Sequence, residues 1–309
     1  MKEKYSIFSL NGGLGKIINS TAVAKCIKNN YPDRKLIVVC PYPDIYLNLP
    51  FVDRVYQMGN TSYFYQTYIE NQDSLIFANE PYMTTDHIHK RLPLIESWCK
   101  MYGLTYNQEQ PEIIFNSLQK NISRNVWKKD EKPIMILHTN GGLITEDAPQ
   151  YLWARDMPFN VAEEIVKRYK NDYTIYQCTK LNSRKLEDVT VIEWNQNMRL
   201  STMEYLSILL HSDKRVLIDS CLQHAAKALG LPSVVLWNGT SPKVFGYDLH
   251  TNIETVKPQN FKLPNSYLFD FDFLSPSEQY PFTENEELYD LNEIFKAIEN
   301  SQEISCATN

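Results

Sequence analysis

A strand, a turn, a helix and a second strand follow one another between residues 215 and 237, and this order constrains the fold more than any other feature. The run Arg215–Asp219, with Val, Leu and Ile at its centre, predicts the end of a buried strand, and the Ala-rich run after it predicts a helix. Gly230 and Pro232 then interrupt the helical pattern before the apolar run 233–237, which predicts the next strand. A β-turn-α-β unit of this kind favours a parallel sheet.

The turn inside this unit places Ser220, Cys221 and Leu222 at or beside a helix N-terminus. The first N–H groups of a helix have no partner within the helix and lie at the positive end of its dipole. Such a turn can therefore hold a phosphate or diphosphate group. An ordinary βαβ unit without a ligand explains the same pattern, so both interpretations stay open here.

The same segment resembles a motif of the family 9 glycosyltransferases, the group that contains the ADP-heptose:lipopolysaccharide heptosyltransferases. That motif reads Asp-Ser/Thr-Gly-x-x-His-x-x-x-Ala-x-Gly-x-Pro, followed by an apolar strand and Gly-x-Thr-x-Pro. The chain departs from it at Cys221, where the family usually has Gly, and at Thr240, which follows Gly239 directly. The matching positions are Asp219, Ser220, His224, Ala228, Gly230, Pro232, Gly239, Thr240 and Pro242.

A glycine-rich turn near the start of the chain follows one predicted strand and opens a predicted helix. Its residues are Asn11, Gly12, Gly13, Leu14, Gly15 and Lys16. The glycines let the backbone approach a ligand closely, and a tight structural turn would need them equally. The run is not a Walker A loop, since Leu10 stands where the first Gly would be and Ile17 follows the lysine.

Family 9 enzymes carry a Gly-x-Gly-Asp turn at this place, and its Asp is thought to act as the general base. Lys16 falls at that position in this chain, and a charged lysine cannot accept a proton. The resemblance leaves three possibilities: another residue deprotonates the acceptor, the chemistry differs, or the chain is inactive. The stretches 31–35 and 50–53 resemble two further landmarks of the family.

The pattern of strands and helices repeats twice along the chain. Strands are predicted at 5–10, 35–40 and 52–56, and again at 134–138, 173–177 and 189–193, with helices at 16–30 and 159–169. The charged run 128–132 between the two rounds is typical of an interdomain crossing. We expect an α/β fold of two Rossmann-like domains, residues 1–130 and 131–309, whose parallel sheets face each other across a cleft. The resemblance implies the GT-B arrangement, with a last helix within 285–300 packing back on the first domain.

The resemblance implies an inverting glycosyltransferase that moves a sugar, with heptose as one candidate, from a nucleotide-diphosphate sugar to a hydroxyl. The diphosphate of the donor would meet the Ser220 and Cys221 amides and the Ser220 hydroxyl, while Lys16 or Arg155 supplies positive charge. His224 is a donor contact or a packing histidine, and Asp219 more readily orders the turn. Further predicted donor contacts are Asn11, Gly12, Gly13, Gly15, Asn140, Asn238, Gly239, Thr240 and Ser241.

The general base is sought near a predicted helix at 86–102, where Asp86, His87 and His89 lie close together. Helix capping by Asp86 and solvated histidines explain the same cluster. Asp44 and Glu146 are further carboxylates without distinguishing context. Asp270-Phe-Asp272 spells the DxD of metal-dependent GT-A enzymes, but it follows both complete rounds and is expected to be a surface element. Neither a metal nor a cofactor is predicted.

Composition narrows the class of protein without naming the substrate. The chain has 309 residues, 43% of them apolar, and a net charge of −6, which gives no general attraction to nucleic acid or anionic membrane. Its six cysteines form no CxxC pair, and no apolar run reaches the roughly 20 residues of a membrane span, so we expect a reduced, cytoplasmic protein. The acceptor could be a lipopolysaccharide core, another glycan or a modified nucleobase in DNA. A catalytically silent nucleotide- or sugar-binding protein is the alternative. An NAD-dependent dehydrogenase is disfavoured, because the glycine fingerprint for dinucleotide binding is missing.

Overall fold

The computed structural model describes residues 2–127, 132–142, 155–194, 200–255 and 287–301. Four parallel strands form the first sheet, in the order β3-β2-β1-β4. They are β1 (Lys4–Ser9), β2 (Lys35–Cys40), β3 (Arg54–Gln57) and β4 (Asp73–Phe77). Tyr5 of β1 aligns with Lys35 of β2 on one side and with Ser74 of β4 on the other. Because both pairings are parallel, the chain must cross over between these strands. The predicted parallel sheet is confirmed.

Helices follow the strands of this first sheet. They are α1 (Leu14–Asn30), α2 (Phe64–Tyr68), α3 (Thr85–Ile88) and α4 (Leu94–Met101). The helix predicted at 86–102 is divided in two, because Pro93 has no N–H and restricts the backbone of the residue before it. The longest of these four helices, α1, begins at the glycine-rich turn with Gly13 as its N-cap.

The segment between the two sheets contains one more helix, α5 (Ser117–Val126). Trp127 directly after it donates from Nε1 to Ser207 Oγ at 2.9 Å, and its ring meets that of Tyr176 edge to face. The two sheets lie on either side of the predicted boundary at residue 130, while the end of this helix already contacts the second half of the chain.

Six parallel strands form the second sheet, in the order β10-β9-β8-β5-β6-β7. They are β5 (Ile134–His138), β6 (Thr174–Lys180), β7 (Thr190–Trp194), β8 (Lys214–Ile218), β9 (Val234–Trp237) and β10 (Thr251–Glu254). All five residues of β5 and of β8 are buried, as expected for central strands of a parallel sheet that is covered on both faces.

The helices of this second half flank its sheet. Those described are α6 (Phe159–Tyr169), α7 (Thr202–Leu206), α8 (Ile208–His211), α9 (Cys221–Ala228), α10 (Pro242–Phe245) and α11 (Leu291–Asn300). Among them, α7 packs against α5 and α9 packs against α1. These two contacts join the second half to the first.

The last helix corrects one expectation. α11 packs against β8 and β9 of the second sheet, with Ile294 and Ile298 buried in that domain's core. Lys214 Nζ binds the carbonyl oxygen of Ser301 at 2.6 Å, just beyond the helix. Residues four apart lie on one face of a helix, so this single apolar stripe is already covered. The expectation that the last helix packs back on the first domain is wrong for 287–301.

No helix within the described residues is long and apolar enough to cross a membrane. The Asp270–Asp272 pair and Glu146 lie outside the described residues, so their expected roles are not addressed by the structure.

Candidate functional site

A cleft of about 650 Å³ lies between the two domains. Its walls are built mainly from residues at or after the carboxyl ends of strands in both sheets: β1, β2 and β4 in the first, and β5, β6, β7 and β8 in the second. Ligands of open α/β sheets bind beyond these strand ends. The cleft is therefore the place where this fold is expected to bind a substrate.

The two turns singled out in the sequence meet inside this cleft. A Cβ placed on Gly15 would lie 3.0 Å from Cδ2 of His224 and 3.3 Å from Cα of Cys221. The start of α1 thus contacts the start of α9. Gly12 has φ 126°, which glycine adopts readily, and the Lys16 side chain folds over it. The side chain of Asn11 accepts a hydrogen bond from the N–H of Gly12 at 2.8 Å and orders the same turn.

The N-terminus of α9 opens into the cleft. Ser220 is its N-cap in extended conformation and makes no side-chain capping bond. A Cβ on Gly141 would lie 2.6 Å from Ser220 Oγ, so only glycine lets the segment after β5 come this close. Burial raises the pKa of the Cys221 thiol to about 11, so the thiol stays protonated near neutral pH. The first-turn amides and the Ser220 hydroxyl are groups here that can donate to an anion.

Lys16 lies in the cleft and forms an ion pair with Glu80. Its ammonium also lies 5.3 Å from the ring centre of Tyr82 and 5.7 Å from that of Trp98, which is cation–π geometry. Burial lowers the pKa of Lys16, while the Glu80 carboxylate acts to raise it. Glu80 and Tyr82 follow β4, a strand that the sequence did not predict, and neither was among the predicted site residues.

Arg155 faces the same space from the second domain. Burial raises the pKa of Asp219, and the Arg155 charge and the neighbouring Thr240 hydroxyl act in the opposite direction. The Arg155 charge also acts on Tyr82, whose hydroxyl pKa is raised by burial. This guanidinium therefore lies within electrostatic reach of both walls of the cleft.

A fully buried carboxylate, Asp156, fixes the wall that carries Arg155. One of its oxygens accepts from Asn140 Nδ2 and the other from the N–H of Gly141, both at 3.0 Å. Lys180 Nζ lies 3.5 Å away, also at the cleft. The Asn238 amide donates to the Asp156 carbonyl at 2.6 Å. Asn140 and Asn238 thus use their side-chain amides to hold the wall in place.

His224 connects the two domains. Its Nδ1 lies 2.9 Å from the Tyr247 hydroxyl and its Nε2 lies 3.4 Å from Asn19 Nδ2 on α1, while the Tyr247 hydroxyl donates to the Asn19 amide oxygen. Burial, then the charges of His250 and Arg155, lower the pKa of His224 to about 3. The ring is neutral and lines the cleft while packing between domains, so both roles left open by the sequence are compatible with its position.

The predicted general bases Asp86 and His87 do not line the cleft. Asp86 pairs with Lys100 at 2.6 Å. His87 packs edge to face against Tyr82 and Phe245, and burial lowers its pKa to about 4. The hydroxyl of Thr84 caps the short helix to which both belong. Local packing and capping account for this cluster, and the structure does not bring it to the cleft that it was expected to face.

The four predicted donor contacts directly after β9 do not line the cleft: Asn238, Gly239, Thr240 and Ser241. Gly239 and Thr240 are buried, and Ser241 is the N-cap of α10. Their predicted contact with a donor is therefore not part of the observed cleft. Within the described residues, no group of three or more His, Cys, Asp or Glu is arranged to hold a metal ion.

Comparison with known proteins places the fold. The chain matches no protein-family model and no curated protein. It is similar to the family 9 glycosyl transferase from Veillonella parvula DSM 2008, with a TM-score of 0.65, 11% identity and 97% of each chain covered. It is also similar to E. coli ADP-heptose LPS heptosyltransferase II, with a TM-score of 0.59, 12% identity, and 97% and 99% covered. E. coli heptosyltransferase WaaC with ADP gives a TM-score of 0.54, 12% identity, and 95% and 99% covered.

These comparisons cover nearly the whole chain, and at such low identity they establish the fold. The protein has the two-domain GT-B architecture found in family 9 glycosyltransferase structures. The resemblance inferred from residues 219–242 is confirmed at this level.

Proposed function

We propose that this protein is a glycosyltransferase that moves a sugar from a nucleotide-diphosphate sugar to a hydroxyl acceptor, with inversion and without a metal ion. One observation carries the proposal: the open N-terminus of α9 and the Arg155 guanidinium face the glycine turn of the first domain inside one cleft. Similar structures include an enzyme bound to ADP and another named for ADP-heptose. An ADP-linked heptose is therefore the first donor to test.

The donor diphosphate fits the second-domain wall of the cleft. Sugar transfer breaks the bond between the anomeric carbon and the diphosphate, and negative charge develops on the leaving oxygen. The α9 amides, Arg155 and Lys180 supply positive potential there. Asp156 holds this wall before any ligand binds, so little reorganisation is needed. The Lys180 charge is balanced by Asp156, so Arg155 and the α9 amides are the groups that can compensate the diphosphate charge, which supports the metal-free form of the reaction.

Inversion is supported by the division of groups between the two walls. The anion-binding groups belong to the second domain, while Lys16, Glu80 and Tyr82 belong to the first. An acceptor hydroxyl on the first-domain side would approach the anomeric carbon from the face opposite the diphosphate. A single displacement in this geometry inverts the anomeric configuration.

The acceptor is proposed only as a class. Tyr42, Tyr82 and Trp194 place aromatic rings at the cleft, and such rings suit the apolar faces of sugars as well as nucleobases. A lipopolysaccharide core, another glycan and a modified nucleobase in DNA all offer a hydroxyl.

We place the reaction in the cytoplasm, because the cysteines within the described residues are free thiols.

The proposal is tested by donor turnover. The protein is incubated with ADP-, UDP- and GDP-sugars, and released nucleoside diphosphate is measured with and without candidate acceptors. Arg155→Ala should lower donor affinity about tenfold or more, since a charge-assisted contact to the diphosphate is lost. Arg168→Ala is the control, because Arg168 pairs with Glu299 on the outside of the second domain.

Binding of a nucleotide sugar without release or transfer would favour the catalytically silent binding protein. Failure to bind any nucleoside diphosphate would refute both forms of the proposal.

A further inference from the structure

The Glu80 carboxylate lies beside Lys16, the position at which the family motif has Asp. Lys16 occupies the position where the resembling family has Asp, and its ammonium is ion-paired with Glu80. Glu80 comes from the segment after β4, on the edge of the first sheet, and directly precedes the 3-10 turn Pro81–Met83. The Glu80 carboxylate thus lies at the start of α1, although it belongs to the segment after β4 of the same domain.

The Lys16–Glu80 pair is held firmly on its lysine side. The Lys16 side chain is only 9% exposed and lies against the rings of Tyr82 and Trp98. Trp98 is completely buried, and its Nε1 donates to the carbonyl of Asn79 at 3.1 Å. The Glu80 side chain is 37% exposed and lines the cleft. Its carboxylate is therefore fixed by Lys16 and still open to an incoming hydroxyl.

Other proton acceptors at the cleft are less accessible. Asp219 is 4% exposed and faces Arg155 on the diphosphate side. His138 and His224 are buried, and burial lowers their pKa values to about 4 and about 3. His224 is also engaged by Tyr247 and Asn19. Of the cleft-lining carboxylates in the described residues, Glu80 alone lies on the first-domain wall and is substantially exposed.

We propose that Glu80 is the general base of the transfer and that Lys16 is the residue that positions it; this inference rests on the proposed function. Glu80 takes the proton of the acceptor hydroxyl as the acceptor oxygen bonds to the anomeric carbon. The bond from that carbon to the diphosphate breaks, and its electron pair stays on the diphosphate oxygen. The proton on Glu80 then passes to solvent. Lys16 keeps the carboxylate oriented before each turnover.

The test begins with Glu80→Gln, which keeps the shape of the side chain and removes its basicity. We expect kcat for sugar transfer to fall 10²- to 10⁴-fold, the range of general base catalysis, while donor affinity changes less than about threefold. The acid limb of the pH profile of kcat/KM should disappear with it. Glu80→Asp should recover part of the rate.

Glu112→Gln is the matched control, because Glu112 forms an ion pair with Lys25, a lysine of α1 that lies away from the cleft. It should leave kcat and the pH profile unchanged. The reversed pair, Lys16→Asp with Glu80→Lys, restores a carboxylate to the motif position and should transfer sugar at least tenfold faster than Glu80→Gln. A folded reversed pair without this recovery counts against the proposal.

The failure of the base assignment and the failure of the proposed function give different results. If the wild-type protein transfers sugar and Glu80→Gln keeps its rate and pH profile, the base assignment is overturned while the transferase function stands. The base assignment is also overturned if the rate falls only in parallel with donor affinity. If the wild-type protein transfers no sugar from any donor tested, the proposed function fails and the base assignment fails with it.

Discussion

Gly15 and His224 approach so closely across the cleft that a Cβ on the glycine would lie 3.0 Å from Cδ2 of the histidine. The same Cβ would lie 3.3 Å from Cα of Cys221, which is backbone and cannot rotate away. Gly15→Ala should push α1 away from α9 and cost about 1–3 kcal/mol of the free energy of unfolding, as overpacking does. Chemical denaturation measures this loss.

Gly13→Ala is the control for that change. No atom lies within 4 Å of a Cβ at Gly13, and the residue has an ordinary φ of −72°. Alanine is a poorer N-cap than glycine, so a small loss is expected there. A loss as large as that of Gly15→Ala would contradict the steric explanation.

The contact of Gly141 with Ser220 predicts an effect on donor binding. Gly141→Ala would bring a Cβ to 2.6 Å from Ser220 Oγ and 2.9 Å from Ser220 Cβ, forcing Ser220 away from its place at α9. Donor affinity should fall about tenfold, which is about 1.4 kcal/mol. The same clash should lower the free energy of unfolding. Adding Ser220→Gly removes both clashing atoms and should restore most of that free energy. Titration calorimetry and denaturation follow the two effects, and wild-type affinity in the single variant would refute the contact.

Asp156 and Lys180 are expected to be strongly coupled. Asp156→Ala leaves the Lys180 charge without this carboxylate where its side chain is only 5% exposed, and should cost about 3–5 kcal/mol of the free energy of unfolding. Lys180→Met removes the charge and retains length. The double variant should lose clearly less than the sum of the two single losses. Additive losses in denaturant unfolding would show that the two charges are independent.

Buried histidines predict loss of stability in mild acid. Burial lowers the pKa values of His87, His138, His224 and His250 from 6.5 to about 4, 4, 3 and 4. The unfolded chain therefore binds protons at higher pH than the folded chain. The contribution of these histidines to the free energy of unfolding should be steady above pH 6.5 and decrease from pH 6.5 toward 4, by roughly 1.4 kcal/mol per pH unit for each histidine. Denaturant titrations across this range measure the slope.

His87→Phe tests the contribution of one ring, since it keeps an aromatic group against Tyr82 and Phe245. It should make the acid slope shallower by one histidine's share. His89→Gln serves as control, because His89 is exposed. Equal slopes in the wild type and His87→Phe would rule out the protonation argument for this position.

Much of the fold follows from apolar runs. The strands at 35–40 and 134–138 and the helix at 159–169 have the predicted bounds, because their apolar residues are buried. The strands β4 and β10 are not predicted. Each is an edge strand with a single buried residue, Phe77 and Ile253, so neither produces a clear apolar pattern.

The site is predictable in part for a similar reason. Glycine turns at strand ends are visible in a sequence, and both lie at the cleft. Glu80 is missed because it follows β4, which was not predicted. It comes close to Lys16 only because β4 pairs with β1 in the folded sheet. Asp156 gives no signal, since a charged residue is usually exposed. The cluster at Asp86 is misleading, because nearness in sequence does not place it at the cleft.

The position of helix α5 determines where the chain can be cut to separate its two domains, called lobes below. The chain just before it stays with the first lobe, where the N–H of Glu112 donates to Thr21 Oγ1 at 2.9 Å. Beyond it, Trp127 is already buried against Ser207. A recombinant first lobe ending at 130 would carry that indole with its covering surface removed and would tend to aggregate. Cleavage near Asn116 instead keeps the indole in the same fragment as the residues that cover it.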